Sequence, residues 1–459
     1  MNIKSHKFIL LCSLIVSLTS SSNVFALCNE ITECNFKLGT AQRLEINDEK
    51  NKIITFPDEN LEKAIRNSIN KPEGAIYGED VKSIEELTLH RGNISSLEGI
   101  QHLTNLKKLD LMFNEVENLS ELSTLTNLQS LNLGYNKITD ISTLAKLTNL
   151  TELNLSSNKI IDISALSNLA NLKTLSLYGN KVSDLKPLSS LINLNSLDLY
   201  INNIDNIEPL GSLVNLTDLS LGKNKIVDVN SLKNLRNLKI LELNENMVSD
   251  IKVLKYLKNL NQLYLYGNEV NDVSPLSSLK QLNYLELSNN KISNVDPLGS
   301  LTNLTQLALD NNKIKSVNAL EKLINLKNLN LSNNKISDIS KLGSLSNLNI
   351  LSINNNKITN VNGLEKFKNL RILNISKNLI TDITPLRALE NLPLTTITLE
   401  GNPLPQYVFN DQLKDEFILS MLIPYIFDAV EKYYGGPRLY TDAGILDIVK
   451  IGNGAYMLK

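Results

Sequence analysis

The side chains best placed for chemistry here are amides. From Asn114 onward one asparagine returns every 22 residues, at Asn136, Asn158, Asn180, Asn202, Asn224, Asn246, Asn268, Asn290, Asn312, Asn334, Asn356 and Asn378. An amide offers both a donor and an acceptor, so such a row could hold a polar ligand or satisfy backbone groups. The context favours the second use. Each asparagine is preceded by L-x-x-L-x-L-x-x, as in Leu128, Leu131, Leu133 and Asn136, and followed by an apolar residue two positions on, as in Ile138. A buried amide in that position pairs with the backbone of adjacent turns, which a sharp bend leaves unsatisfied. A second row has the same structural reading: Asn105, Asn127, Asn149, Asn171, Asn193, Asn215, Asn237, Asn259, Gln281, Asn303, Asn325, Asn347, Asn369 and Asn391.

Other chemistries are thinly supplied. Three His, three Cys and no Trp leave few ligands for a metal cluster. The chain has no nucleophile elbow, no H-E-x-x-H and no phosphate-cradling glycine loop, so no catalytic residue, metal or cofactor is expected. The 46 basic and 48 acidic side chains nearly cancel, which points away from nucleic acid.

The elements follow from periodicity. The alternation Leu131, Leu133 marks a short strand whose Ser130, Asn132 and Gly134 face the other way. Stacked about 4.8 Å apart, some fifteen such strands make a parallel sheet on the order of 70 Å long. Ile138, Ile141, Leu144, Leu147 and Leu150 bury one side of an irregular or 3₁₀-like return, where Pro187, Pro209, Pro275, Pro297 and Pro385 share one slot and argue against a long helix. A return bulkier than a strand bends the stack into an arc with the sheet inside.

This pattern resembles the leucine-rich-repeat family, specifically the 22-residue class of the bacterial internalins, over residues 84 to 404. The resemblance implies an α/β solenoid: a horseshoe with a parallel concave sheet, a 3₁₀ or irregular convex side, a helical amino-terminal cap and a short carboxy-terminal cap. The stretch from Phe56 to Val81 looks like the helical cap that precedes such repeats, with Asp58 capping a helix whose Leu61, Ala64, Ile65 and Ile69 share one face. The expected divisions are a signal peptide at 1–26, a mature amino-terminal segment at 27–52, the cap at 53–83, about fifteen repeats at 84–404 and a cap or tail at 405–459. In that tail, Phe417 to Val430 reads as a capping helix, and Tyr433 to Pro437 as a turn into a short final element.

Export is read from Lys4 and Lys7, the apolar stretch Phe8 to Leu18, and small residues at Val24-Phe25-Ala26, which place a cut before Leu27. That stretch is shorter than the roughly 20 residues a membrane span needs, so no transmembrane anchor is expected. Cys12 falls in the removed segment, and a disulfide between Cys28 and Cys34 is the simple expectation. A lipid anchor on Cys28 stays open, although Leu27 stands where lipoprotein signals resemble a small residue.

With leucines and asparagines committed to the stack, partner-specific information must lie on the outward strand positions. Tyr178, Tyr200, Tyr264, Tyr266 and Tyr284 gather in the middle turns with Asp198, Asp218, Glu242 and Glu286; Phe113 and Tyr135 lie nearer the start. Aromatics supply much of an interface's energy, and Tyr is also simply at home in strands. The residue after the ladder asparagine is usually lysine, but Asn203, Met247 and Glu269 break that row among the same turns. The expectation is a monomeric exported module that binds a protein, on a host or another cell, with a partner of basic and apolar character. The lysine row leaves an anionic glycan open. A cell-envelope scaffold or adhesin without a host receptor, and an intracellular repeat protein resembling phosphatase regulators, are the alternatives.

Overall fold

The computed structural model describes residues 53–389, 392 and 396–403, together with the strands Arg438–Thr441, Gly444–Gly452 and Ala455–Leu458. The signal-peptide reading, Cys28, Cys34 and the helix expected at 417–430 lie outside these residues.

Fifteen three-residue strands among the described residues, from Glu86–Thr88 to Thr396–Thr398, form one parallel sheet in sequence order. Equivalent leucines stand side by side: Leu87 beside Leu109, Leu109 beside Leu131, and so on to Leu373 beside Ile397. The central residue of each strand turns into the core and its two neighbours turn out, as the two-residue period of a strand requires. The leucine-rich-repeat solenoid follows directly. Each turn contributes the same buried set, for example Leu128, Leu131, Leu133, Ile138, Ile141, Leu144, Leu147 and Leu150, and these sets merge into one core running from Ile54 to Leu399.

Opposite the sheet the chain returns through short 3₁₀ turns such as Ser142–Lys146 and Glu208–Ser212. Pro187, Pro209, Pro275 and Pro297 open four of them, where a missing N–H costs nothing. A further row of side chains prepares these turns. Asp140, Asp162, Asp184, Asn206, Asp228, Asp250 and Asp272 each accept a hydrogen bond from the backbone two residues on, at 2.8 to 2.9 Å. This row is as regular as the ladder and escaped the reading of the sequence.

At the amino end, the helix Glu59–Ser68 buries Leu61 and Ile65, with Ala64 and Ile69 partly covered. One oxygen of Asp58 accepts from the backbone of Asn60 and Leu61, and the other accepts from the backbone of Ser95 and Ser96. Asp58 therefore both starts the helix and ties it to the first repeat. Gly99 seals the same junction. Its φ of +99° suits glycine, and a Cβ there would lie 2.5 Å from both the Thr55 carbonyl and the Phe56 ring.

The tail differs from the single short element expected after Pro437. Its three strands pair antiparallel, with Arg438 opposite Asp447 and Ile448 opposite Leu458.

Candidate protein-binding face

The backbone just before each ladder asparagine is left-handed, with φ of +59° at Phe113, +56° at Ile201 and +53° at Glu245. That kink ends the strand and leaves backbone groups facing inward. The ladder amides meet them. The Nδ2 of Asn202 donates to the carbonyls of Leu177 at 2.9 Å and Leu199 at 3.1 Å, and its Oδ1 accepts from Val182 N at 3.0 Å. The same pattern recurs from Asn114 through Asn136, Asn158, Asn180, Asn224, Asn246, Asn268, Asn290, Asn312, Asn334, Asn356 and Asn378. Second-row amides, such as Asn149 to Thr126 O at 2.9 Å and Asn215 to Ile192 O at 2.8 Å, likewise bond the backbone of the preceding turn. These amides are thereby occupied within the stack.

Each turn then raises four side chains on the solvent side of the sheet. In the middle turns these form two connected groups. In the first, Tyr178 stacks on Tyr200 with ring centroids 5.9 Å apart. Tyr200 lies across Gly222 on the next turn, where a Cβ would come within 2.3 Å of its ring, and reaches a second turn to accept a 3.2 Å hydrogen bond from the buried Asn244 amide. The Tyr266 hydroxyl donates to Glu245 Oε1 at 2.8 Å. Lys223 stands 6.0 Å from the centre of the Tyr200 ring and 3.5 Å from Glu245 Oε1. Burial, then hydrogen bonding to Tyr200 and Glu245, pushes the Tyr266 phenol well above its ordinary range.

The second group surrounds Tyr264, which lies in register with Glu242 on one side and Glu286 on the other. Its ring centroid is 4.7 Å from that of Tyr284, and its hydroxyl donates to Gln262 Oε1 at 3.1 Å. Burial and then the Glu286 charge push the Tyr284 phenol up to about 12. Burial also raises Asp198 and Glu286, although Asp198 accepts from Tyr200 N and Ser176 Oγ, and Glu286 accepts from Ser288 N. Glu242 accepts from Ser220 Oγ at 2.8 Å. Asp218 accepts from Thr217 Oγ1 at 2.6 Å and lies in the column of Gln262 and Tyr284, three strands before Tyr284.

The raised Glu286 carboxyl yields a prediction with a definite sign. A folded pKa above the ordinary 4.5 means that charging Glu286 costs stability, fully so above the folded pKa and not at all below the unfolded one. Glu286→Gln is therefore expected to melt higher than the parent at neutral pH, with the difference closing as pH falls through the carboxylate range. A lower melting temperature at neutral pH would contradict this.

A separate stack lies near the amino end: Phe113 is 4.3 Å from Tyr135 and 5.2 Å from His90, with Arg91 4.9 Å above the Phe113 ring. It is not continuous with the middle groups.

A solved internalin, InlF of Listeria monocytogenes, is similar to this chain at 37% sequence identity and a TM-score of 0.65, covering 74% of this chain and 95% of its own. This chain belongs to the internalin-like leucine-rich-repeat family. A Leptospira interrogans LRR protein is similar at 33% identity and a TM-score of 0.66, over 69% of this chain and 84% of that one. The functional domain of InlJ from Listeria monocytogenes shares the fold at 23% identity and a TM-score of 0.61, over 74% and 80% of the two chains. The family described as Leucine Rich repeats (2 copies) matches residues 126–168, 170–212, 280–322 and 324–366. No curated protein matches the sequence.

In this internalin-like chain, sequence reasoning passed over Gly222, Lys223 and Asn244, which connect Tyr200 to its surroundings. One signal was available: they occupy outward positions of the two turns following Tyr200, and glycine beside an aromatic leaves room for the ring to lie flat.

Proposed function

We propose that this chain is an exported binding module whose concave face, between Tyr178 and Glu286, engages a protein on a host or neighbouring cell. The observation that carries this is the build of the middle turns. Five tyrosines and the carboxylates Asp198, Glu242 and Glu286 converge there, half-buried, on a rigid sheet whose leucines and amides are already committed to the stack. Half-buried aromatics with free edges and polar tips supply interface energy once a partner desolvates them. Ile201 adds to the case. It is an exposed residue held at φ +56°, a conformation that costs a non-glycine residue roughly 1–2 kcal/mol, and it is the β-branched one among the described turns, where Gly179, Gly267, Asn289, Asn311, Asn333 and Asn355 take the same position more easily. Strain of this kind is expected where a side chain is kept for contact rather than for folding.

Export rests on the Lys4 to Ala26 signal pattern. No helix among the described residues is long and apolar enough to cross a membrane. The experiment is affinity capture from a host-surface extract by the full chain and by its Tyr200→Ser/Tyr264→Ser/Tyr266→Ser variant. Loss of the retained protein in the variant is expected; unchanged retention would overturn the assignment of the middle turns.

A further inference from the structure

We propose that the middle of this face recognises a basic segment of its protein partner, laid across the strands so that lysine or arginine side chains meet Glu242 and Glu286. The inference rests on the concave-face reading and names the chemistry of the partner.

The first observation is spacing. Along the central outward column the residues run Asp198, Ser220, Glu242, Tyr264, Glu286 on consecutive strands, so carboxylates occupy every second strand. Two strand spacings are about 10 Å, close to the roughly 9 Å rise of one three-residue turn of a polyproline-II chain, whose every third side chain returns to the same face. A segment crossing the sheet with a basic residue at every third position would match the column.

The second observation is charge. Among the described residues no lysine or arginine forms an ion pair with Asp198, Glu242, Glu286 or Asp310; the one cation paired on this part of the face is Lys223, with Glu245. On the flank, the lysine row gives way to Met247 and Glu269 on the turns that carry Glu242 and Tyr264, and Lys291, on the turn that carries Glu286, is ion-paired with Glu269. A basic partner therefore meets less repulsion there than elsewhere along the sheet.

The third observation is that the chain already shows the contact it would offer. Lys223 places its ammonium beside the Tyr200 ring and the Glu245 carboxylate, an aromatic wall and an acid around one cation. Tyr264, Tyr284, Glu242 and Glu286 repeat that combination two strands further on, without a cation among the described residues paired to it. Beside them, small Ala308 leaves a depression of about 100 Å³ bordered by Tyr284, Gln306, Asn328 and Ile350, room for one small apolar side chain next to the basic ones.

The test uses the full chain and three fluorescent peptides of proline with arginine, glutamine or glutamate at every third position, read by anisotropy at low and high salt. The arginine peptide is expected to bind, to bind less well at high salt, and to lose on the order of tenfold or more in affinity to Glu242→Gln/Glu286→Gln. Glu117→Gln/Glu208→Gln removes the same charge away from the sheet face and is expected to bind as the parent does. Equal binding of the arginine and glutamate peptides, no binding of either, or equal loss in both double variants overturns the proposal. The two readings separate with the captured partner. If it is lost by the triple tyrosine variant but not by Glu242→Gln/Glu286→Gln, the basic-segment proposal falls and the concave-face reading stands; if neither variant loses it, both fall.

Discussion

Asn246→Ala is expected to destabilise the solenoid by about 3 kcal/mol or more, read from the urea midpoint or the melting temperature. The Asn246 amide donates to the carbonyls of Leu221 at 2.9 Å, Leu243 at 3.0 Å and Asn244 at 3.3 Å, and accepts from Ile226 N at 2.9 Å. Alanine leaves the Leu221 and Leu243 carbonyls and the Ile226 N–H without that partner in a buried position, at roughly 1–3 kcal/mol for each one that water does not reach, while the Asn244 carbonyl keeps its bond from Lys223 N. Asn237→Ala is the comparison. Its amide makes one bond, to Val214 O at 2.9 Å, on an exposed flank, so roughly 1 kcal/mol or less is expected. Equal losses at the two positions would mean that the ladder carries no special share of the fold.

The second large effect concerns binding. Tyr200→Ser/Tyr264→Ser/Tyr266→Ser is expected to lower affinity for the captured partner by about 100-fold or more, since each truncated hot-spot tyrosine costs roughly 2 kcal/mol and the losses add incompletely. The fold should survive. All three rings stand outside the leucine core, and the site above Gly222 opens to water when Tyr200 is shortened. A binding titration paired with a melting curve separates the two outcomes. Phe113→Ser/Tyr135→Ser supplies the contrast: a comparable loss there, with the triple variant unaffected, would move the interface to the amino-terminal stack.

The stack was legible in the sequence because every turn solves the same problem. A leucine that must point inward and an amide that must meet a kinked backbone leave little choice, so Leu131, Leu133 and Asn136 recur unchanged in kind. The row from Asp140 to Asp272 was equally regular and equally readable, and it shows why acids on the return side are structural: backbone hydrogen bonds, from Ser142 to Asp140 and from Lys252 to Asp250, hold those carboxyls below the usual range.

The face resisted for a physical reason. Whether Tyr200 stands up or lies across Gly222 to Asn244 depends on rotamers and on neighbours 22 and 44 residues away, which no local pattern encodes. Glu286 looks like any other outward acid in sequence, and its raised carboxyl comes from burial among particular neighbours on adjoining turns. Asp218, grouped with the tyrosines by sequence, shares a column with Tyr284 but stands three strands before it, with Ile240 and Gln262 between, and its carboxyl bonds Thr217 instead.

The most direct test of the account is hydroxyl-radical footprinting of the full chain with and without its captured partner. Protection is expected at Tyr178, Tyr200, Tyr264, Tyr266 and Tyr284, with no change at Tyr256 and Met247 outside the sheet face or at Phe113 and Tyr135. Protection confined to the return side, or spread evenly along the solenoid, would contradict a binding site in the middle turns.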